Sequence, residues 1–302
     1  MELAALQALK PEQVRTLLPD FLGQYVQEPN ANRKVVEDLH ALLASWTDVQ
    51  LASLLQDLQV LGEAQQVYPA HPLGQQLSRL WAGPLLSSVQ LTGLEQLQSA
   101  AAAGPTAVIC NHTSYFDSTA IDTILAQANQ TALCDRLMSA AGPKVYSSLF
   151  RRIASLCLST LPVPQSTSLG HTQRLSRRDL ARLALNSVRL AHQALADGRI
   201  LLIFPEGSRT RTGRLRPFLK GVYRYLDAEN LQVVPAALVG CNQIMQIDTE
   251  RCSPGPVSLA FGTPLRVAEC GGGREALVEA HQSISSLLPD SCKPISGEEI
   301  LQ

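Results

Sequence analysis

The chain is organised around residues 107–121, which read AVICNHTSYFDSTAI. A short apolar run, Ala107 to Cys110, precedes a polar turn, and the sequence becomes apolar again from Ala120. This order predicts a buried strand, a loop and the beginning of a helix. In a sheet with helices on its faces, ligands bind outside the carboxyl ends of the strands, which is where we expect this loop to lie.

The loop contains His112 and, five residues further on, Asp117. An imidazole takes a proton from a hydroxyl group when a carboxylate holds its other nitrogen and stabilises the positive charge that it acquires. Asp117 is predicted to stand in the first turn of the helix, within reach of His112. A His and an Asp at this spacing also occur together by chance, so a second stretch is needed to support a catalytic role.

Residues 200–210, which read ILLIFPEGSRT, repeat the pattern of a buried strand followed by a polar loop. Together the two stretches resemble the glycerolipid acyltransferases, the family that includes the glycerol-3-phosphate and lysophosphatidate acyltransferases. Residues 111–117 resemble the first block of that family and residues 204–209 its third. Residues 211–221 resemble the run that follows the third block, and residues 233–237 the fourth. The second block differs, because no Arg follows the apolar strand at residues 162–165.

The resemblance implies an enzyme that moves a fatty acyl group from a thioester to the hydroxyl of glycerol-3-phosphate or 1-acylglycerol-3-phosphate in phospholipid biosynthesis. The thioester would be acyl-CoA or acyl carrier protein, which are co-substrates, and no cofactor or metal is expected. His112 would be the general base, with Asp117 as its partner. The acceptor hydroxyl itself attacks, so neither Ser114 nor Cys110 is expected to act as a covalent nucleophile.

The same resemblance assigns the third block to the acceptor. Arg209 is predicted to bind its phosphate, and Gly207 to let the backbone approach the ligand. Glu206 is predicted to accept hydrogen bonds from glycerol hydroxyls or from Arg209, and Arg211 to contact a headgroup or carrier. Asn111 and Ser208 complete the predicted substrate-binding set. The missing second-block cation has several candidates, which are Lys144, Arg174, Arg178, Arg182 and Arg189.

Two other classes of function stay open at this point. A hydrolase could use the same His–Asp pair on a thioester or a phospholipid, with water as the acceptor. A noncatalytic adaptor could retain the fold and bind lipid or a carrier protein.

The composition sets wider limits. The 302 residues are 45% apolar, enough to bury a full core. The formal net charge is −1, yet residues 144–224 hold 15 of the 25 Lys and Arg residues and only three acidic ones. This uneven distribution predicts an anionic partner such as a phosphate, an acidic carrier or an anionic membrane surface. Nucleic acid is not expected, because no nucleic-acid-binding signature accompanies the charge.

Seven cysteines are scattered without paired spacing, which predicts reduced thiols and a cytoplasmic location. The first residues lack the pattern of a signal peptide, and no apolar run reaches the length of a transmembrane span. We therefore expect the chain to meet a lipid substrate in solution or as a peripheral protein at the membrane surface.

Apolar periodicity predicts the fold. Residues 1–82 show helical spacing throughout and predict a small helical bundle. Residues 86–302 alternate strands and helices, which predicts an α/β domain with a mainly parallel sheet flanked by helices. The predicted strands are 89–93, 107–110, 159–163, 200–204, 233–239 and 257–261.

Overall fold

The computed structural model describes residues 9–164 and 176–302. A sheet crosses the molecule with strands in the order β1-β7-β6-β2-β5-β3-β4, and the short β8 pairs with β6. In the described residues, every strand pair is parallel except those that β6 forms with β7 and β8. The mainly parallel sheet confirms the predicted α/β class. The strands are β1 (Leu86–Thr92), β2 (Thr106–Cys110), β3 (Leu137–Ala141), β4 (Ser159–Pro162), β5 (Ile200–Ile203), β6 (Gln232–Val239), β7 (Gly255–Phe261) and β8 (Leu265–Arg266).

Both faces of the central strands are buried. On β2, Val108 and Cys110 pack into one hydrophobic core, whereas Ala107 and Ile109 pack into a second core. Successive side chains of a strand point to opposite faces, so the two cores lie on the two sides of the sheet. A strand buried on both faces is a continuous apolar run in sequence, which is why the strands around His112 were predictable.

Helices cover each face. The first core receives side chains from α1 to α8 and from α10, and the second from α9, α11 and α12. None of the helices in the described ranges combines the length and apolar composition of a transmembrane span. The helices are α1 (Pro11–Gly23), α2 (Pro29–Ser45), α3 (Asp48–Val60), α4 (Pro72–Ala82), α5 (Leu94–Ala103), α6 (Asp117–Gln127), α7 (Thr131–Cys134), α8 (Leu149–Ser155), α9 (Arg177–Ala196), α10 (Cys241–Ile244), α11 (Val267–Cys270) and α12 (Gly273–Leu287).

The N-terminal helices α1 to α4 share one core with the sheet. The indole of Trp81, on α4, packs edge-on against Phe116 and Phe150, and its Nε1 donates to the carbonyl of Leu22 at 3.1 Å. Arg79 donates two hydrogen bonds, of 2.8 and 2.9 Å, to the fully buried carboxylate of Asp122 on α6. The helices therefore form the cover of one sheet face.

Strand β3 was not among the predicted strands. Its sequence, Leu-Met-Ser-Ala-Ala, contains no β-branched or aromatic residue, so local propensity does not favour a strand. It lies between β5 and β4 and pairs in parallel with both. Pairing on both edges, which a single sequence does not display, determines its conformation.

Candidate active site

The loops that follow β2 and β5 meet at one edge of the sheet. These strands are parallel neighbours, with Ile109 opposite Ile203, so their carboxyl ends coincide. The backbone N–H of Thr210 donates to the carbonyl of His112 at 2.9 Å. The His112 ring also stacks on Phe204, with centroids 4.5 Å apart. The two sequence stretches that predicted the site therefore form a single structure.

His112 and Asp117 are in direct contact. His112 Nδ1 lies 2.9 Å from Asp117 Oδ2, in the geometry of a hydrogen bond. With the proton on Nδ1 donated to the carboxylate, Nε2 is the ring nitrogen that can accept a proton from a ligand. The imidazole lines a large cavity, and its side chain is 18% exposed. The structure therefore brings together the two residues that were predicted to act as a general base and its partner.

The carboxylate of Asp117 is held from several directions. Its Oδ2 accepts hydrogen bonds from the backbone N–H of Thr113 at 2.7 Å and of Ser114 at 2.9 Å. Its Oδ1 accepts one from the hydroxyl of Thr113 at 3.1 Å. Asp117 is fully buried, so these donors and His112 supply the stabilisation that water cannot.

Glu206 has a different role from the predicted one. Its Oε1 accepts a hydrogen bond from the backbone N–H of His112 at 2.7 Å, and its Oε2 one from the backbone N–H of Arg216 at 3.2 Å. Glu206 is buried and does not line the cavity. The prediction that it accepts from glycerol hydroxyls or Arg209 is therefore wrong, because the carboxyl group is buried outside the cavity lining and its partners are backbone donors. Burial raises the pKa of Glu206 to about 8, although the two backbone donors oppose the shift.

The rest of the third block turns around Gly207. Its φ of +69° lies in the left-handed region, and a Cβ there would collide with the side chain of Leu219. Gly207, Ser208 and Arg209 all line the cavity. The Ser208 hydroxyl accepts a hydrogen bond from Arg216 Nη1 at 2.7 Å. The Arg209 guanidinium stacks on the ring of Tyr115, with its Cζ 3.7 Å from the ring centroid.

Asn111 does not reach the cavity. Its amide Nδ2 donates to the carbonyl of Leu238 at 2.9 Å, and its Oδ1 accepts from the Leu238 N–H at 2.8 Å. The side chain is buried, and its amide is paired with the backbone of β6. Asn111 was predicted to bind substrate; in this structure it ties the loop after β2 to the neighbouring strand.

The cavity has a volume of about 1040 Å³, at the upper end of the range of roughly 300–1,000 Å³ that is typical of ligand sites. Its basic lining residues, which we call the cationic wall, come mainly from the loop after β5. Many of its apolar lining residues, which we call the apolar wall, come from β3, α8, α9 and the residues that flank β4. The basic lining residues are Lys144, Arg151, Arg209, Arg211, Arg214, Arg216, Lys220 and Arg224, and the apolar ones include Ala140, Ala141, Phe150, Ala154, Leu158, Val163, Leu185 and Val188.

The candidates for the second-block cation differ in whether they line the cavity. Lys144 lines the cavity from the turn Pro143–Tyr146, whereas Arg178, Arg182 and Arg189 do not line it. Arg174 lies outside the described residues. Arg211 lines the cavity but pairs with Asp248 at 3.1 Å, where both side chains are largely exposed.

Sequence reasoning missed Arg151, which also lines the cavity. Its Cζ lies 4.3 Å from the centroid of the Tyr115 ring. Nothing in the local sequence of α8 distinguishes Arg151 from Arg152, whose guanidinium instead donates to the carbonyls of Tyr146, Leu58 and Gln59. The basic composition of residues 144–224 was the available signal, and it did not single out a position.

Neither candidate nucleophile is available for covalent chemistry. Cys110 is fully buried, and burial raises the pKa of its thiol well above the ordinary value. The hydroxyl of Ser114 is also buried and donates to the carbonyl of Met245 at 2.9 Å.

The sequence profile of the acyltransferase family matches residues 88–239, half of the chain, and the chain belongs to this family. It is 30% identical over 132 residues to a 1-acyl-sn-glycerol-3-phosphate acyltransferase of Cocos nucifera, covering 42% of each protein. It is 32% identical over 136 residues to the enzyme of the same name from Limnanthes douglasii, covering 44% of this chain and 48% of the relative. The matched region thus spans less than half of the length of these relatives.

The chain also superposes on the crystal structure of the 1-acyl-sn-glycerophosphate (LPA) acyltransferase PlsC from Thermotoga maritima. That superposition has a TM-score of 0.48 at 15% sequence identity, and covers 89% of this chain and 86% of PlsC.

Proposed function

We propose that this protein transfers a fatty acyl group from a thioester to the free hydroxyl of a phosphate-bearing glycerol lipid of the lysophosphatidate type. The single observation that carries the proposal is that His112, which is hydrogen-bonded to the buried Asp117, lines one cavity together with basic residues that include Arg209. Membership of the acyltransferase family and the printed names of the relatives support the same reaction class.

The reaction needs a base because a hydroxyl group is a poor nucleophile at neutral pH. His112 Nε2 takes the proton of the acceptor hydroxyl as its oxygen attacks the thioester carbonyl carbon. The tetrahedral intermediate then collapses, the carbon–sulfur bond breaks, and the leaving sulfur takes the proton from His112, which releases a free thiol and restores the neutral imidazole. Asp117 keeps the imidazole in the required tautomer and stabilises its positive charge, and such a base contributes about 10²- to 10⁴-fold to the rate.

The two kinds of cavity wall suit an acceptor with a charged head and an apolar tail. Arg209 presents a planar guanidinium, which binds phosphate oxygens through paired hydrogen bonds. The apolar wall provides a surface for acyl chains, which gain free energy when they leave water. A lysophosphatidate uses both walls, whereas glycerol-3-phosphate uses the cationic wall alone.

The acyl donor is acyl-CoA or acyl carrier protein, and both are anionic. The arginines on the exposed face of α9, including Arg178 and Arg182, supply a positive surface for such a carrier or for anionic lipids. We propose that the protein contacts its acyl donor or anionic lipids through this surface. We also propose that it acts in phospholipid biosynthesis.

The proposal is tested with the purified protein, acyl-CoA or acyl carrier protein as donor, and a panel of glycerol-based acceptors, with the product identified by mass. We expect transfer to 1-acylglycerol-3-phosphate above glycerol-3-phosphate, and loss of transfer in His112→Ala. Release of fatty acid at a rate independent of acceptor would instead identify a hydrolase. Binding without turnover, unchanged in His112→Ala, would identify an adaptor.

A further inference from the structure

Residues 292–302, which we call the strap, lie against the loop that follows β5. The backbone N–H of Phe218 donates to the carbonyl of Ile300 at 2.8 Å, and the N–H of Gln302 donates to the carbonyl of Phe218 at 2.9 Å. The N–H of Lys220 donates to the carbonyl of Gln302 at 3.0 Å. The strap is thus paired with the loop through the backbone of both.

The loop depends on such partners because it has no regular structure of its own. Residues 204–219, all of which the structure describes, contain no helix or strand. Their backbone groups must therefore find partners elsewhere. Leu301 forms a parallel β-bridge with Phe218, and its side chain is buried in the second core. At the other end of the strap, the N–H of Leu215 donates to the carbonyl of Cys292 at 2.8 Å.

The loop that the strap holds carries half of the cationic wall. Its basic residues that line the cavity are Arg211, Arg214, Arg216 and Lys220. Arg214 Nη1 also donates to the carbonyl of Lys293, in the strap, at 3.1 Å. The strap reaches the cavity as well, because Ile295, Glu298 and Gln302 line it. The strap therefore contacts the cationic wall and forms part of the same cavity.

The positive charges of the loop repel one another, and a charged segment of chain extends when nothing else holds it. The strap opposes this by fixing the backbone between the basic side chains. A loop that is ordered before a ligand arrives binds it more tightly, because the cost of ordering has already been met. The strap lies outside residues 88–239, so the match to the family profile does not itself predict this contact.

We propose that the strap is a positioning element for acyl transfer, which holds the loop after β5 in the conformation that binds the anionic acceptor. The inference rests on the proposed function and extends it by giving residues outside the matched family region a part in acceptor binding. Leu301 and Gln302 are positioning residues that act through the basic side chains of the loop. His112 and Asp117 belong to the loop after β2, so the chemical step should be spared when the strap is released.

The test releases the strap in the full-length chain. Leu301→Asp places a carboxylate at a buried position beside Phe218 and should detach the strap. Hydrogen exchange should then become faster at the amides of Phe218 and Lys220, while those of β2 and β5 stay protected. KM for 1-acylglycerol-3-phosphate should rise by about 10- to 100-fold, the effect of losing a charge-assisted hydrogen bond. We expect kcat to change little.

Matched variants separate positioning from general damage to the fold. Leu301→Met keeps an apolar side chain of similar volume and should restore a KM close to that of the wild type. Glu299→Gln changes an exposed residue of the strap that does not line the cavity, and should leave exchange and kinetics unchanged.

A second releasing variant covers the case in which Leu301→Asp does not fold. Gln302→Pro leaves the buried Leu301 in place and removes the N–H that donates to Phe218. It should raise both the exchange rate at Lys220 and KM for the acceptor. Gln302→Ala keeps that N–H and should have a smaller effect on each.

Three results would overturn the inference. One is faster exchange at Phe218 and Lys220 with an unchanged KM for the acceptor. Another is a fall in kcat as large as the fall in kcat/KM. The third is unchanged exchange at these amides in both releasing variants, because the strap would then not control the loop.

Failure of the proposed function gives a different result. If the wild type transfers no acyl group to any acceptor, that function fails, and calorimetric titration with short-chain 1-acylglycerol-3-phosphate still tests the strap. Weaker binding by Leu301→Asp than by the wild type would support the inference. Equal affinities, or no binding by the wild type, would contradict it.

Discussion

Replacing Asp117 by Asn isolates the effect of its charge. The Asn oxygen can occupy the position of Oδ2, where it would accept from the N–H groups of Thr113 and Ser114 and from His112 Nδ1. The amide nitrogen would then face the Thr113 hydroxyl, which can accept a hydrogen bond. Because the two backbone donors require an oxygen at that position, the variant should retain the orientation and tautomer of His112.

The size of the effect follows from the distance. An imidazolium and a carboxylate with Nδ1 and Oδ2 at 2.9 Å have charge centres about 4 Å apart. At an effective dielectric constant of about 20, their attraction is about 4 kcal/mol. If this attraction is lost in the state in which His112 is positively charged, the rate falls by at most about 10³-fold. We expect Asp117→Asn to reduce acyl transfer by about 10²- to 10³-fold.

Asp117→Ala is the comparison variant. It leaves the buried N–H groups of Thr113 and Ser114 without an acceptor, at a cost of about 1–3 kcal/mol each. Initial rates at saturating donor, together with thermal unfolding by calorimetry, distinguish the two changes. Asp117→Asn should unfold near the wild-type temperature, and Asp117→Ala clearly below it. Wild-type turnover in Asp117→Asn, or equal destabilisation of both variants, would refute the reasoning.

Three further predictions concern stability and thiol reactivity. Arg79→Ala leaves the buried carboxylate of Asp122 unpaired and should lower the free energy of unfolding by about 3–5 kcal/mol in urea titrations; replacing both residues by apolar ones should restore much of the loss. The folded-state pKa of Glu206, about 8, exceeds its ordinary value, so its contribution to stability falls as pH rises from about 5 to 8, by at most about 1.4 kcal/mol per pH unit. Urea denaturation at several pH values should show this dependence of the unfolding free energy on pH in the wild type and not in Glu206→Gln. Parallel plots of unfolding free energy against pH for the two proteins would contradict the prediction. Cys270 and Cys292 are partly exposed and should be alkylated before the other thiols of the folded protein, which are buried; mass mapping that finds an early buried site would disprove this.

The fold was predictable because its signals are local. The strands that end at His112 and Phe204 are apolar runs buried on both faces, and parallel neighbours bring their ends together. The loop motifs, together with the family resemblance, therefore placed His112, Asp117 and Arg209 at one site. Helical spacing likewise predicted the N-terminal helices.

Other features depend on contacts that a single sequence does not show. Arg151 and Arg152 are adjacent on one short helix, and only the packing of α8 decides which of them reaches Tyr115. Glu206 was assigned to glycerol hydroxyls or to Arg209 because it belongs to the third block, which the resemblance assigns to the acceptor. Its actual partners are backbone groups of two other loop positions, which sequence pattern does not reveal.

Because the N-terminal helices and the sheet share one core, the start of the matched family region does not coincide with the start of the folded unit. The family profile begins at residue 88, after helices α1 to α4 have ended. Yet those helices supply Trp81 and Arg79, which shield the sheet face and neutralise Asp122. A shortened chain that begins at residue 88 would expose this apolar sheet face to solvent, and we expect it to aggregate. Expression studies of this protein should therefore choose their starting residue from the packing and not from the alignment.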